Sequence, residues 1–181
     1  DTIRYLVQRG EYGPQADPAA AVRERVDQAR TFQPHYIERK RPDGRWIYVS
    51  AEEAEQVDVI DVAKRQQTSH ILVGKRPRGI AFLADGSRAY VACELAGKVY
   101  AIDVASQKVI AEVTAGQYPN GVVAHPDGRR VFVSNGRDGT VMAIDTASHA
   151  VVATIAVGKR PWNMALTPDG AKLYVANGRS N

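Results

Sequence analysis

The sequence predicts a mainly β protein: an incomplete β-propeller of about three and a half four-stranded blades, preceded by a short N-terminal helical segment. Three observations carry this reading. Asp-Gly pairs recur in phase at Asp43-Gly44, Asp85-Gly86, Asp127-Gly128 and Asp169-Gly170, a period of 42 residues. Asp61, Asp103 and Asp145 close the runs VDVID, VYAID and VMAID in the same phase. A Gly-x-x-Pro frame recurs at Gly74–Pro77, Gly116–Pro119 and Gly158–Pro161.

Each unit resolves into four short strands. In the unit that starts at Asn120, GVVAHP is a short apolar strand and PDGR is a turn, with Pro and Gly supplying its backbone angles. RVFVSN is a β-branched and aromatic strand, and NGRDG turns the chain again. TVMAID, the turn DTAS and the alternating strand HAVVATIAVG complete the unit. The strands are apolar on both faces, as a blade packed between two neighbours requires. Counted from the Asp-Gly hairpin, the repeats fall at approximately 46–87, 88–129 and 130–171, with a partial repeat at 172–181.

Residues 1–45 have a different texture. Ile3, Leu6 and Val7 share a helical face that stops at Gly10. Asp17-Pro18 reads as an N-cap followed by Pro at the first helical position. Val22, Val26, Ala29 and Phe32 then follow at helical spacing, and Pro34 ends the run. HYIERKR is strand-like. Its hairpin through PDGR has the length and phase to supply the innermost strand of the first blade, which predicts a full sheet over residues 36–73.

The strings AYVAC, VFVSN and LYVAN, each set among V-x-x-ID and VG-x-x-P segments, resemble the YVTN-family β-propeller repeat over residues 46–181. The end PWNMALTPDGAKLYVANGRSN is similar to YVTN propellers found beside pyrroloquinoline-quinone-dependent oxidation systems, which implies association with such a system. RGEYGPQADPAAAVRERVDQAR and FQPHYIERKRPDGRWI resemble the distal half of a PAS-type sensor domain of bacterial hybrid histidine kinases. The two patterns meet at RPDGR, a turn common to both. A splice across this shared string is the expected origin of the join, and a natural fusion is the alternative. In either case the propeller part is expected to be a fragment.

Composition narrows the function classes. The formal charge is +4 and the pI about 9.3, but the basic residues are scattered in short clusters rather than in a stripe, so no nucleic-acid partner is expected. No apolar run approaches twenty residues, so no membrane span is expected. Cys93 is the only cysteine, which excludes an internal disulfide and any cysteine-based metal motif. The blade faces at the ends of an open arc are expected surfaces for self-association.

The search for chemistry gives little. No phosphate-cradling loop, nucleophile elbow or paired-histidine motif occurs. His125 precedes a proline and reads as a turn histidine; His70 and His149 are expected on outer strands of different blades. Asp61, Asp103 and Asp145 recur in every repeat and read as turn formers. Glu52, Glu53 and Glu55 read as a solvated acidic patch. No catalytic residue, metal or cofactor is expected, nor enzyme activity.

One register position changes while its frame is held: Pro77-Arg78-Gly79, Pro119-Asn120-Gly121 and Pro161-Trp162-Asn163. These lead into the innermost strands, which line a propeller's channel. Arg78, Asn120 and Trp162 are therefore the candidate ligand-binding residues at the channel mouth. Lys75-Arg76 and Lys159-Arg160 precede two of them and predict a basic rim suited to a small anionic ligand or a protein partner.

The expected function is that of a non-catalytic binding or assembly scaffold, part of a YVTN-type exported protein in the periplasm or outside the cell. The alternatives are a lactonase-like or haem d1-like propeller, and a PAS-containing signalling fusion in the cytoplasm.

Overall fold

The computed structural model describes residues 38–180, and within them every regular element is a strand. The helices expected before Pro34 lie outside the described residues. Among those described, no helix is long and apolar enough to cross a membrane.

The strands form three four-stranded sheets and one of two strands. The first sheet holds β1 (Glu38–Lys40), β2 (Trp46–Ala51), β3 (Gln56–Asp61) and β4 (Gln66–Leu72). The second holds β5 (Pro77–Phe82), β6 (Arg88–Cys93), β7 (Lys98–Asp103) and β8 (Lys108–Thr114). The third holds β9 (Pro119–Ala124), β10 (Arg130–Asn135), β11 (Thr140–Asp145) and β12 (Val151–Ala156). β13 (Pro161–Leu166) and β14 (Leu173–Asn177) pair alone. In each sheet the strands lie in sequence order and run antiparallel, which is the arrangement of a propeller blade. An arc of such blades is the incomplete propeller that the repeat predicts.

β1 pairs with β2 through Glu38↔Val49, Arg39↔Tyr48 and Lys40↔Ile47, so the first sheet does take its inner strand from the segment before the PDGR hairpin. Each sheet thus begins one strand before the Asp-Gly turn. The turn glycines sit at positive φ, Gly44 and Gly128 at 73° and Gly86 at 69°, where a β-carbon would be strained. Asp43, Asp85, Asp127 and Asp169 each accept the backbone N–H two residues on and so close the turn.

The core lies between sheets. β6 is buried from Ala89 to Cys93 because its alternate residues face different neighbours. Ala89, Val91 and Cys93 pack with Tyr48, Val57, Val59 and Ile71 of the first sheet. Tyr90 and Ala92 pack with Val122, Val131 and Val133 of the third. β12, by contrast, is exposed at all six of its residues.

Adjacent blades meet most closely along their inner strands. A β-carbon on Gly79 would lie 2.3 Å from the carbonyl oxygen of Asn120, and one on Gly121 would lie 2.3 Å from that of Trp162. Ser50 Oγ donates to the Arg78 carbonyl at 2.7 Å, and Ser134 Oγ donates to the Trp162 carbonyl at 2.5 Å. Residues 78, 120 and 162 are thereby held by their backbones, and their side chains are free to differ.

A candidate ligand site at the inter-sheet links

Turns alternate between the two ends of a meandering sheet. The β2–β3, β6–β7 and β10–β11 turns and the links between sheets therefore share one end. They are tied there by repeated backbone bonds: Glu94 N–H to Arg76 O, Gly136 N–H to Tyr118 O, and Gly178 N–H to Arg160 O. Arg76, Tyr118 and Arg160 take positive φ values of 55–58°, which turn the chain into each inner strand.

Between the first and second sheets this end is an ion-pair network. Arg78 binds Glu52 Oε1 at 2.6 Å and Glu94 Oε2 at 2.7 Å. Arg76 approaches the same two carboxylates at 3.2 and 3.4 Å. Glu52 and Glu94 keep only 18 % and 12 % of their side-chain exposure. Glu52 is therefore not part of a solvated patch, as the sequence suggests; it is a shared ligand of two guanidinium groups. Here two acids match the two arginines, so Arg76 and Arg78 add no net charge to this end.

Farther along the arc the same face opens into a cleft of about 720 Å³. Asn120 and Trp162 both line it, together with Tyr118, Arg137, Arg160 and Arg179. Lys159, Asp138 and Glu94 also reach it. The structure therefore brings two of the three candidate residues to one cleft. Arg78 lies outside the lining and touches the cleft only through its partner Glu94. Arg137 lies over the Tyr118 ring at 5.1 Å and Arg160 over the Trp162 ring at 4.7 Å.

Arg137 and Arg179 escape the sequence reading, although the repeat carries the signal. The β2–β3 type turn reads Glu52-Glu53, then Glu94-Leu95, Gly136-Arg137 and Gly178-Arg179 in successive units. Acid gives way to glycine at one position, and acid gives way to arginine at the next. Only once the turns are seen to share an end with the inter-sheet links does that drift become a change in site chemistry.

Cys93, the described histidines and the repeated aspartates do not line the cleft. Cys93 is fully buried, and that burial pushes its thiol up to about 12. His125 places Nε2 3.2 Å from the Gly170 carbonyl and Nδ1 2.7 Å from Asp127 Oδ1, a turn contact reaching the next blade. His70 is on the outer strand β4, as expected. His149 is not on an outer strand: it occupies the turn before β12 at φ 57°, 6.2 Å from the Tyr90 ring, because that turn needs a left-handed residue. Asp61, Asp103 and Asp145 accept backbone N–H groups of the turns that follow them. Among the described residues no three His, Cys, Asp or Glu side chains converge as a metal site.

Comparison with known proteins agrees with this architecture. A solved structure of Kuenenia stuttgartiensis hydrazine synthase superposes with a TM-score of 0.75 at 24% sequence identity, over 79% of this chain and 42% of that one. This is a likeness of fold, and the chain spans less than half of that protein's length. No curated protein matches. The family model described as "Lactonase, 7-bladed beta-propeller" matches residues 8–181, which includes most of the segment before the repeat. The chain belongs to this lactonase family of seven-bladed β-propellers.

Proposed function

We propose that the chain acts as a binding module of a YVTN-type propeller, without catalysis, and that its ligand sits in the cleft over Asn120 and Trp162. The observation that carries this reading is the cleft itself, which gathers two residues that vary within an otherwise repeated frame. Propellers commonly place ligands where loops ring the channel, and one scaffold hosts many sites. Asp103 and Asp145 are meanwhile held in turns, and Cys93 is buried. Replacing Trp162 and Asn120 with alanine should abolish the binding of whatever small molecule the full chain retains. Unchanged binding in both variants would remove the site.

The second reading is lactone hydrolysis, and the family match supports it. A pH-stat assay of the full chain with simple lactones separates the two. Turnover above that of a Trp162→Ala variant would replace the binding reading with an enzymatic one.

The YVTN resemblance also supports export to the periplasm or beyond the cell, which fractionation of the source cells tests directly. We also propose that residues 1–45 derive from a PAS-type sensor domain. Long sequencing reads that cross the codons for Arg39 to Val49 in frame would make the join a natural fusion, and reads that end there would make it a splice. The exposed Val151, Val152 and Ile155 on β12 support self-association, which sedimentation at rising concentration would either show or remove.

A further inference from the structure

Arg160 stands in the register position of Arg76, yet among the described residues no carboxylate pairs with it. Arg76 is neutralised by Glu52 and Glu94, one from the sheet on each side. The residues that correspond to those acids around Arg160 are Gly136 and Gly178. Its guanidinium lies instead over the Trp162 ring, as that of Arg137 lies over Tyr118. A ring face holds a guanidinium in place without satisfying its N–H donors, whereas a carboxylate does both. Lys159 and Arg179 complete the set, joined by the backbone bond from Arg179 N–H to Lys159 O.

The charge balance of the cleft follows. Arg137, Lys159, Arg160 and Arg179 face two carboxylates. Glu94 is already taken by Arg76 and Arg78, while Asp138, which accepts the Gln117 N–H at 2.7 Å, keeps its charge and offsets one of the four cations, so the cluster stays net positive. Among the described residues none of the four cations makes an ion pair with a carboxylate. Four like charges gathered around one concavity repel each other unless something neutralises them.

We infer that this cleft is a site for a small multivalent oxyanion, a ligand carrying two or more phosphate or carboxylate groups. Arg137 and Arg160 supply forked donors suited to such groups, and Lys159 and Arg179 add charge at the rim. Tyr118 and Trp162 are positioning residues that hold the two guanidiniums over the cleft. The inference rests on the binding reading of the same cleft and specifies its ligand class.

The test is calorimetric titration of the full chain with inorganic pyrophosphate, citrate, orthophosphate and acetate at constant ionic strength. Saturable binding of pyrophosphate or citrate is expected, with acetate at least about tenfold weaker because it offers one group to the cluster. Which of the two multivalent ions binds tighter tells phosphate from carboxylate chemistry. The R137Q/R160Q variant should weaken binding by about tenfold or more, and R137K/R160K should recover part of the loss, since lysine keeps the charge but not the fork. K64Q/K108Q removes the same charge from the opposite end of the sheets and should leave affinity within about twofold. Absence of saturation overturns the inference, as does equal weakening by both glutamine pairs, which would mean net charge alone. Should R137Q/R160Q fail to fold, the lysine pair and the acetate comparison still decide. If multivalent anions do not bind but an uncharged ligand binds and is lost in Trp162→Ala, the anion inference falls and the binding reading stands. Lactone turnover would remove the binding reading whatever the anions do.

Discussion

Ser134 Oγ accepts the Gly121 N–H at 2.9 Å and donates to the Trp162 carbonyl at 2.5 Å, so a single hydroxyl joins the third sheet to the strand beyond it. Ser134 has no exposed surface. Ser134→Ala should destabilise the chain by about 1–3 kcal/mol, the cost of leaving a buried donor and acceptor without partners. Urea denaturation monitored by circular dichroism measures it. An unchanged midpoint would mean that water takes over both bonds.

Gly121→Ala should cost more than a surface substitution at any turn. The new β-carbon would meet the Trp162 carbonyl oxygen at 2.3 Å, and backbone cannot swing aside as a side chain can. A loss of about 1–3 kcal/mol or more is expected, together with a shift in Trp162 fluorescence as the inner strands separate. Gly79→Ala, which meets the Asn120 carbonyl, should behave alike without the fluorescence change.

Arg78→Ala leaves Glu52 and Glu94 facing each other with Arg76 alone between them. Hydrogen bonds to charged groups of this kind are worth about 1.5–3 kcal/mol, and the loss should shrink as salt is added. A substitution that proves neutral at low salt would show the network to be solvated. Anion affinity at the far cleft should not fall, because Arg78 does not line it.

Stability should decline in two stages on acidification. Burial, with Arg88 nearby, holds the His149 imidazole below its ordinary value of 6.5. A depressed folded value means that the neutral ring is favoured in the fold. Its contribution is complete above pH 6.5 and is lost as pH falls through the lowered value. Turn hydrogen bonds hold Asp85, Asp103, Asp127, Asp145 and Asp169 below 3.8, led by backbone N–H donors in some turns and by hydroxyl donors in others. Their contribution is present above 3.8 and disappears as pH falls through each lowered value. Denaturation midpoints across a pH series should show both stages, and His149→Asn should remove the first while keeping a residue that tolerates positive φ.

Cys93 should resist thiol reagents in the folded chain and react only as fast as the chain unfolds. It has no exposed surface, and burial pushes its thiol up to about 12. Rapid modification under native conditions would place an opening between the first two sheets.

The sequence by itself determined the blade. The Asp-Gly turns, the recurring Gly-x-x-Pro frames and the apolar strands between them are local and periodic, and strand, turn and phase follow from them without long-range information. The aspartates that close the turns were equally legible, because an Asp side chain bonds its own following backbone. Which side chains meet across blades was decided by the tertiary structure. Glu52 and Arg78 are 26 residues apart and belong to different sheets, so nothing local marks the one as the other's partner. Arg137, Arg160 and Arg179 come from a turn in one sheet, a link between sheets and the segment after β14. Only the stacking of the sheets brings them around one cleft. Periodicity states what each unit is, but a site is built from the differences between units, and those acquire chemistry only when packing sets them side by side.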